Sequence, residues 1–210
     1  DIPYMSMAQA VAKFGIEDKH SIVIAGTHGK TTTSALVTHI LKSADLKPSF
    51  LVGGAMIGYS DSFCHETDGD YFVIEGDEYD TAFFDKNPKF LHYLSKTAVI
   101  GSIEFDHADI YQDIDQIYHS FESLIKQMPD NGNYIYWAGS DLATKIAKDC
   151  SIANKIAFAI NNEDEEGVDL YFKQFTQTVK GLRVEPIYFG KTLGVFDIPM
   201  WGVHNALNIL

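Results

Sequence analysis

Positive charge is scarce in this chain of 210 residues: 16 Lys and Arg stand against 29 Asp and Glu, a formal net charge of −13. Such a surface repels a polyanion, and the few basic residues form no run, which argues against a nucleic-acid partner. A small anion is still allowed, because local amides, a lysine and metal ions can supply the positive field. Cysteine is scarce as well. Cys64 and Cys150 match no metal-ligand or redox spacing and read as two unpaired cytosolic thiols. Long apolar runs are missing: "SIVIAG" and "AVIGSI" are strand-sized, far below the roughly 20 residues that span a bilayer. No basic segment with an apolar core and cleavage site opens the sequence. A cytoplasmic protein with no membrane partner is expected. There is no internal repeat and no low-complexity linker, and the acidic run "NNEDEEG" (161–167) reads as a solvated loop. With 46% hydrophobic residues, the chain can bury the core of one large domain or two small ones.

What is present is an alternation. "SIVIAG" (21–26), "SFLVGG" (49–54), "YFVIEG" (71–76), "TAVIGSI" (97–103), "NYIYWA" (133–138) and "KIAFAI" (155–160) read as strands. Between them, 31–44 has helical apolar spacing with Ala35, Leu36, His39 and Ile40 in register. Residues 113–128 place Ile114, Ile117, Phe121, Leu124 and Ile125 on one side, ended by Pro129 and Gly132, and 141–150 is a further helix. Apolar strands alternating with helices predict an α/β fold with a mostly parallel sheet covered on both faces. From about Asp169 the texture turns to Val, Phe, Tyr and Thr punctuated by Gly181, Gly190 and Gly194, which predicts antiparallel hairpins added at the sheet edge. "WGVHNALNIL" reads as the first turns of a helix.

The segment "IAGTHGKTTT" (24–33) carries the functional question. A strand, a glycine turn and Lys30-Thr31 opening a helix is the setting of a phosphate loop. The common pattern G-x-x-x-x-G-K-[ST] wants glycine at position 24, however, where this chain has Ile24. The short G-x-x-G-K-T alone leaves open a strand–helix turn without a ligand. Two acidic clusters bear on it. "VIEGDEYD" (73–80) ends a strand with Glu75, Asp77, Glu78 and Asp80, and "SIEFDHAD" (102–109) ends the next with Glu104, Asp106, His107 and Asp109. Carboxylates at strand C-termini face the crevice where α/β proteins bind ligands, and Mg²⁺ takes hard oxygen ligands of this kind. Metal-assisted phosphoryl transfer is the chemistry this joint placement fits.

Together these segments resemble the Mur ligase family, ATP-dependent ligases that build peptidoglycan precursors. The family's shortened loop G-T-x-G-K-T is matched by Gly26-Thr27-His28-Gly29-Lys30-Thr31, its strand-end glutamate by Glu75 and its D-H pair by Asp106-His107. Its H-N-x-x-N adenine segment is matched by His204-Asn205-Ala206-Leu207-Asn208. The resemblance covers essentially the whole chain as the family's central ATP-binding domain (1–210), and implies that a UDP-binding domain and a Rossmann-like domain flank it in the family. It implies ATP and Mg²⁺ as cofactors, with Gly26 to Thr32 cradling the phosphates and Lys30 stabilising phosphoryl transfer. Thr31 and Glu75 hold Mg²⁺, His107 ligates a second metal, and His204, Asn205 and Asn208 contact adenine. Read without the family, those last three fit a helix start equally well, and His28 fits a bystander as well as a phosphate contact. Asp77 and Asp106 are implied as groups that orient ligands, and Tyr79, Asp80 and Thr81 as the muramyl side. The segment "EGDEYDTAFFDKNPKFLHY" resembles the branch that joins UDP-N-acetylmuramate to the murein tripeptide L-alanyl-γ-D-glutamyl-meso-diaminopimelate. The alternatives are the branch that uses L-alanine, a folate-polyglutamate type ligase, or an ATP/Mg-binding module inactive alone. Other branches hold a second metal with a carbamylated lysine; here no lysine follows His107 before Lys126.

Overall fold

A computed structural model describes residues 2–106, 110–161 and 167–210. The strands in chain order are β1 (His20–Ala25), β2 (Ser49–Leu51), β3 (Phe63–Cys64), β4 (Tyr71–Gly76), β5 (Asp80–Ala82), β6 (Asp85–Pro88) and β7 (Thr97–Ile100). They continue with β8 (Asn133–Trp137), β9 (Asn154–Ala159), β10 (Leu170–Thr178), β11 (Gly181–Tyr188), β12 (Lys191–Thr192) and β13 (Phe196–Ile198). The helices are α1 (Met7–Val11), α2 (Lys30–Ser43), α3 (Ile114–Lys126), α4 (Asp141–Asp149) and α5 (Val203–Ile209).

The apolar runs pair side by side in the order β2-β4-β1-β7-β8-β9-β10, all parallel. At one edge β3 adds antiparallel to β2; at the other, β11 pairs antiparallel with β10, and β12 and β13 both pair with β11. The mostly parallel sheet with an antiparallel extension near the C-terminus is therefore the observed architecture. Among the described residues no helix is long and apolar enough to cross a membrane.

Alternation along β1 explains why its sequence is apolar throughout. Val23 and Ala25 pack on one face with Phe72, Ile74, Ala98, Ile100 and the α3 and α4 residues Phe121, Leu124 and Ile146. Ile24 packs on the other with Phe50, Val52 and Val73, backed by Ala35, Val37 and Leu41 of α2. A strand buried on both faces has no polar positions to show. A third cluster, Phe172, Leu182, Val184 and Ala206, fastens α5 to the antiparallel extension. The helix starts follow local chemistry: the Asp113 carboxylate accepts from the Gln116 N–H, and the Ser140 hydroxyl from the Ala143 N–H.

One sequence expectation changes. The register of α2 is different, for Ser34 and Thr38 are the residues it buries, while His39 is exposed and Ile40 is 62% exposed. Helical spacing cannot tell a face that meets the core from one that meets a cleft, and Leu36 and Ile40 meet a cleft. The Ser34 and Thr38 hydroxyls have no partner among the described residues. The β5–β6 hairpin follows the acidic cluster at the end of β4, and its short strands are polar.

At the sheet end opposite the β1–α2 turn, His20 Nε2 lies 2.8 Å from the Thr97 hydroxyl, which also accepts from Asn133 Nδ2 at 3.1 Å. Burial, and then the charge of Lys96, hold the His20 pKa below its ordinary value. The unfolded chain thus binds more protons at this site between the lowered folded pKa and the ordinary value near 6.5. Stability supplied by neutral His20 is present above that window and is lost as pH falls through it. Denaturant melts between about pH 7.5 and pH 5.5 are expected to show a shallower acid loss for His20→Gln than for the wild type; parallel slopes would contradict this.

Candidate active site

The parallel strand β1 has β4 on one side and β7 on the other, and the chain leaves it through α2 to reach β2. The carboxyl end of β1 therefore opens at the point where the strand order reverses, the crevice in which open α/β sheets bind ligands. The loop that starts there is tightly constrained. Gly26 has φ +119, and a Cβ on it would lie 2.9 Å from the Ser102 carbonyl oxygen and 3.0 Å from the Gly101 nitrogen. Gly29, at φ +82, begins α2 without a side-chain cap, and a Cβ on it would run into the Asn208 side chain. The first N–H groups of α2 are thus donors of the sort that bind an anion. Thr27 N–H donates to the Ser102 carbonyl at 2.7 Å, and its hydroxyl accepts from Glu104 N–H at 2.9 Å. His28 is exposed, its Nε2 3.7 Å from a carboxylate oxygen of Glu104.

Position 24 is now explained. Ile24 is 2% exposed inside β1, paired in register with Glu75 on one side and Val99 on the other. The strand runs on to Ala25, so the turn starts at Gly26, and glycine at 24 would leave a hole in the core.

Lys30, in the first turn of α2, turns its Nζ back to the loop, donating to the Gly26 carbonyl at 2.7 Å and to the two carboxylate oxygens of Glu78 at 3.1 and 3.0 Å. The Thr31 hydroxyl donates to the Glu75 carboxylate at 3.2 Å, and the other oxygen of Glu75 accepts from Gly53 N–H at 2.6 Å. Gly53 and Gly54, just past β2, are glycines where space is short: a Cβ would lie 3.0 Å from Glu75 Oε2 or 2.9 Å from Thr31 Cγ2 respectively. A hydroxyl and a carboxylate side by side at the head of a phosphate loop form a hard-oxygen donor pair that fits Mg²⁺. The neighbouring carboxylates are engaged elsewhere. Asp77 accepts from Lys89 Nζ and Tyr79 N–H, and Asp80 from Lys86 Nζ. Thr81 donates to the Asn87 carbonyl within the hairpin.

Beyond the loop lies a cleft of about 990 Å³ between α2, α5 and the sheet. His28, Gly29, Lys30 and Thr33 form one end; His204 and Asn208 line it from α5, and Trp137 and Phe158 from the sheet.

The sequence profile described as the Mur ligase middle domain matches residues 24–210. The chain belongs to the Mur ligase family. It is 43% identical over 209 residues to the UDP-N-acetylmuramate–L-alanyl-γ-D-glutamyl-meso-2,6-diaminoheptandioate ligase of Escherichia coli (strain K12), covering 99% of this chain and 44% of that protein. A UDP-N-acetylmuramate–L-alanine ligase of Clostridium novyi (strain NT) is 37% identical over 194 residues, covering 91% of this chain and 39% of the relative. The solved UDP-N-acetylmuramate:L-alanyl-γ-D-glutamyl-meso-diaminopimelate ligase from Neisseria meningitides superposes with a TM-score of 0.84 at 31% identity, covering 99% of this chain and 64% of that one. The chain spans under half the length of these two curated relatives.

In this Mur ligase domain the residues expected at the site fall into three groups. Gly26, Thr27, His28, Gly29, Lys30, Thr31 and Glu75 come together around the loop. His204 and Asn208 join them at the cleft. Asn205 does not line it: its Nδ2 donates to the Trp201 carbonyl at 2.8 Å and its Oδ1 lies 3.5 Å from Asn208 Nδ2. Thr32 is half-buried and also off the cleft wall, which Thr33 lines instead. His107 and Asp109 lie outside the described residues, and Asp106 is exposed. Sequence reasoning gave no individual role to Glu78, Gly53 or Trp137. Trp137 had a signal, since it stands at the carboxyl end of a parallel strand beside the switch point. Glu78 had none, because nothing in "EGDEYD" says which carboxylate turns inward.

Proposed function

We propose that this chain is the ATP-binding domain of a ligase that joins the lactyl carboxylate of UDP-N-acetylmuramate to the amine of L-alanyl-γ-D-glutamyl-meso-diaminopimelate. The carboxylate takes the γ-phosphoryl group of ATP to give an acyl phosphate and ADP. The amine then attacks the acyl carbon, and phosphate leaves. The observation that carries the ATP-dependent part is the Thr31 hydroxyl 3.2 Å from the Glu75 carboxylate, one residue beyond Lys30 in the loop. Lys30 and the N–H groups at the start of α2 bind the phosphates and hold the charge that develops on transfer. Thr31 and Glu75 hold Mg²⁺, and His107 is assigned to a second metal position. Held by Thr31 and Glu75, Mg²⁺ would supply positive charge against the phosphate oxygens. His204 and Asn208 lie where the base reaches if the phosphates sit at the loop. Gly26, Thr27, His28 and Thr32 complete the phosphate side in this reading, and Asn205 steadies Asn208.

The choice of amine is supported by the relative at 43% identity, named for the tripeptide, against 37% for one named for L-alanine. The test uses the protein at its natural length, given ATP, Mg²⁺ and UDP-N-acetylmuramate with either amine. ADP release driven by the tripeptide and not by L-alanine is expected. The reverse preference would move the protein to the L-alanine branch, and release with neither would overturn the ligase reading.

A further inference from the structure

The Lys30 ammonium has a partner that phosphate-loop chemistry does not require. Both carboxylate oxygens of Glu78 lie within 3.1 Å of Nζ, and Glu78 is only 4% exposed. A carboxylate so far out of water needs a charge partner, and Lys30 supplies it. Glu78 sits in the short link between β4 and β5. Its backbone is held as well: the Tyr111 hydroxyl donates to the Glu78 carbonyl at 2.6 Å. Burial and, less strongly, the nearby carboxylates push the Tyr111 phenol up, although the Ser120 hydroxyl works the other way, so it remains a donor. Asp77 and Asp80 flank Glu78 but accept from Lys89 and Lys86. Of the carboxylates in this link, Glu78 is the one that meets the phosphate loop.

We propose, on the reading that the loop binds ATP, that Glu78 is a positioning residue: the resident counter-ion of Lys30, against which the phosphates of the nucleotide compete. A lysine ammonium has three N–H donors, and the Gly26 carbonyl and the Glu78 carboxylate occupy them. A phosphate oxygen gains Lys30 by drawing it off these groups or sharing it, and of them the charged Glu78 carboxylate holds it more strongly than the Gly26 and Thr27 carbonyls. The carboxylate also sets a negative charge beside the triphosphate. Both effects weaken the grip on phosphate-bearing ligands, keep ATP and ADP exchangeable, and leave a ligand without phosphates unaffected.

Calorimetric titration of the protein at its natural length and of its Glu78→Gln variant with Mg-ATP and with adenosine separates the possibilities. The variant is expected to bind Mg-ATP about fivefold more tightly or better, with adenosine affinity unchanged. Glu78→Asp, whose shorter side chain draws the charge away from Lys30, is expected to tighten Mg-ATP binding less, in the same direction. Unchanged or weaker Mg-ATP binding in Glu78→Gln, with the wild type binding normally, overturns this inference alone. So does an equal change for ATP and adenosine, which marks a general loosening of the fold. A wild-type chain that binds no Mg-ATP overturns the ATP reading and this inference together.

Discussion

Lys30→Ala is expected to abolish ATP-dependent ligation by the protein at its natural length, lowering amine-dependent ADP release by at least about a hundredfold. The reason is positional. Lys30 is the first residue of α2, and its ammonium donates to the Gly26 carbonyl beside the start of the helix. Alanine removes the mobile positive charge and leaves the amides. A second consequence must be separated from the first, since Lys30 is also the partner of buried Glu78. Breaking a buried pair by removing one member costs about 3–5 kcal/mol, so the single variant should also melt earlier. The double variant Lys30→Ala, Glu78→Gln removes the buried carboxylate charge as well. It is expected to recover much of the lost stability and none of the turnover. Near-normal ADP release by Lys30→Ala would remove the phosphate-loop assignment outright.

Glu75→Gln is expected to raise the Mg²⁺ concentration for half-maximal ADP release by about ten- to a hundredfold or more, the range seen when groups merely supporting a metal are changed. The substitution nearly preserves shape: the amide oxygen can still accept from Gly53 N–H, which the carboxylate now does at 2.6 Å. Stability should therefore stay within about 1 kcal/mol of the wild type, and loss of metal affinity is isolated from loss of fold. The crowding of Gly53 and Gly54 against Glu75 and Thr31 shows why the neighbouring loop has no side chains. An unaltered Mg²⁺ titration would place the metal elsewhere.

The alternation of strands and helices is legible in the sequence because a doubly buried parallel strand must be apolar at every position, as "SIVIAG" is. The glycine turn after β1 is legible for a similar reason, since the positive φ of Gly26 and Gly29 and their close approach to Gly101, Ser102 and Asn208 exclude other residues. Glycine missing at position 24 looks like a defect until Ile24 is seen to be a core residue of β1. What stays hidden depends on which way a side chain turns after its strand has ended. Four carboxylates close together at the end of β4 and just beyond it are hard to tell apart by spacing alone. In the folded chain Glu75 meets Thr31, Glu78 meets Lys30, and Asp77 and Asp80 meet lysines of the following segment. The face of α2 stays hidden likewise, because Leu36 and Ile40 line a cleft and small Ser34 and Thr38 let the helix pack close. Apolar spacing reports that a face avoids water, not whether protein or ligand covers it.

The most direct measurement is a crystal structure of the chain with Mg²⁺ and a non-hydrolysable ATP analogue. It is predicted to show the β- and γ-phosphates at the start of α2 within reach of Lys30, and Mg²⁺ about 2.0–2.1 Å from oxygens of Thr31 and Glu75. The base should lie in the cleft beside His204 and Asn208. Phosphates bound away from the loop, or a metal that touches neither Thr31 nor Glu75, would contradict the account.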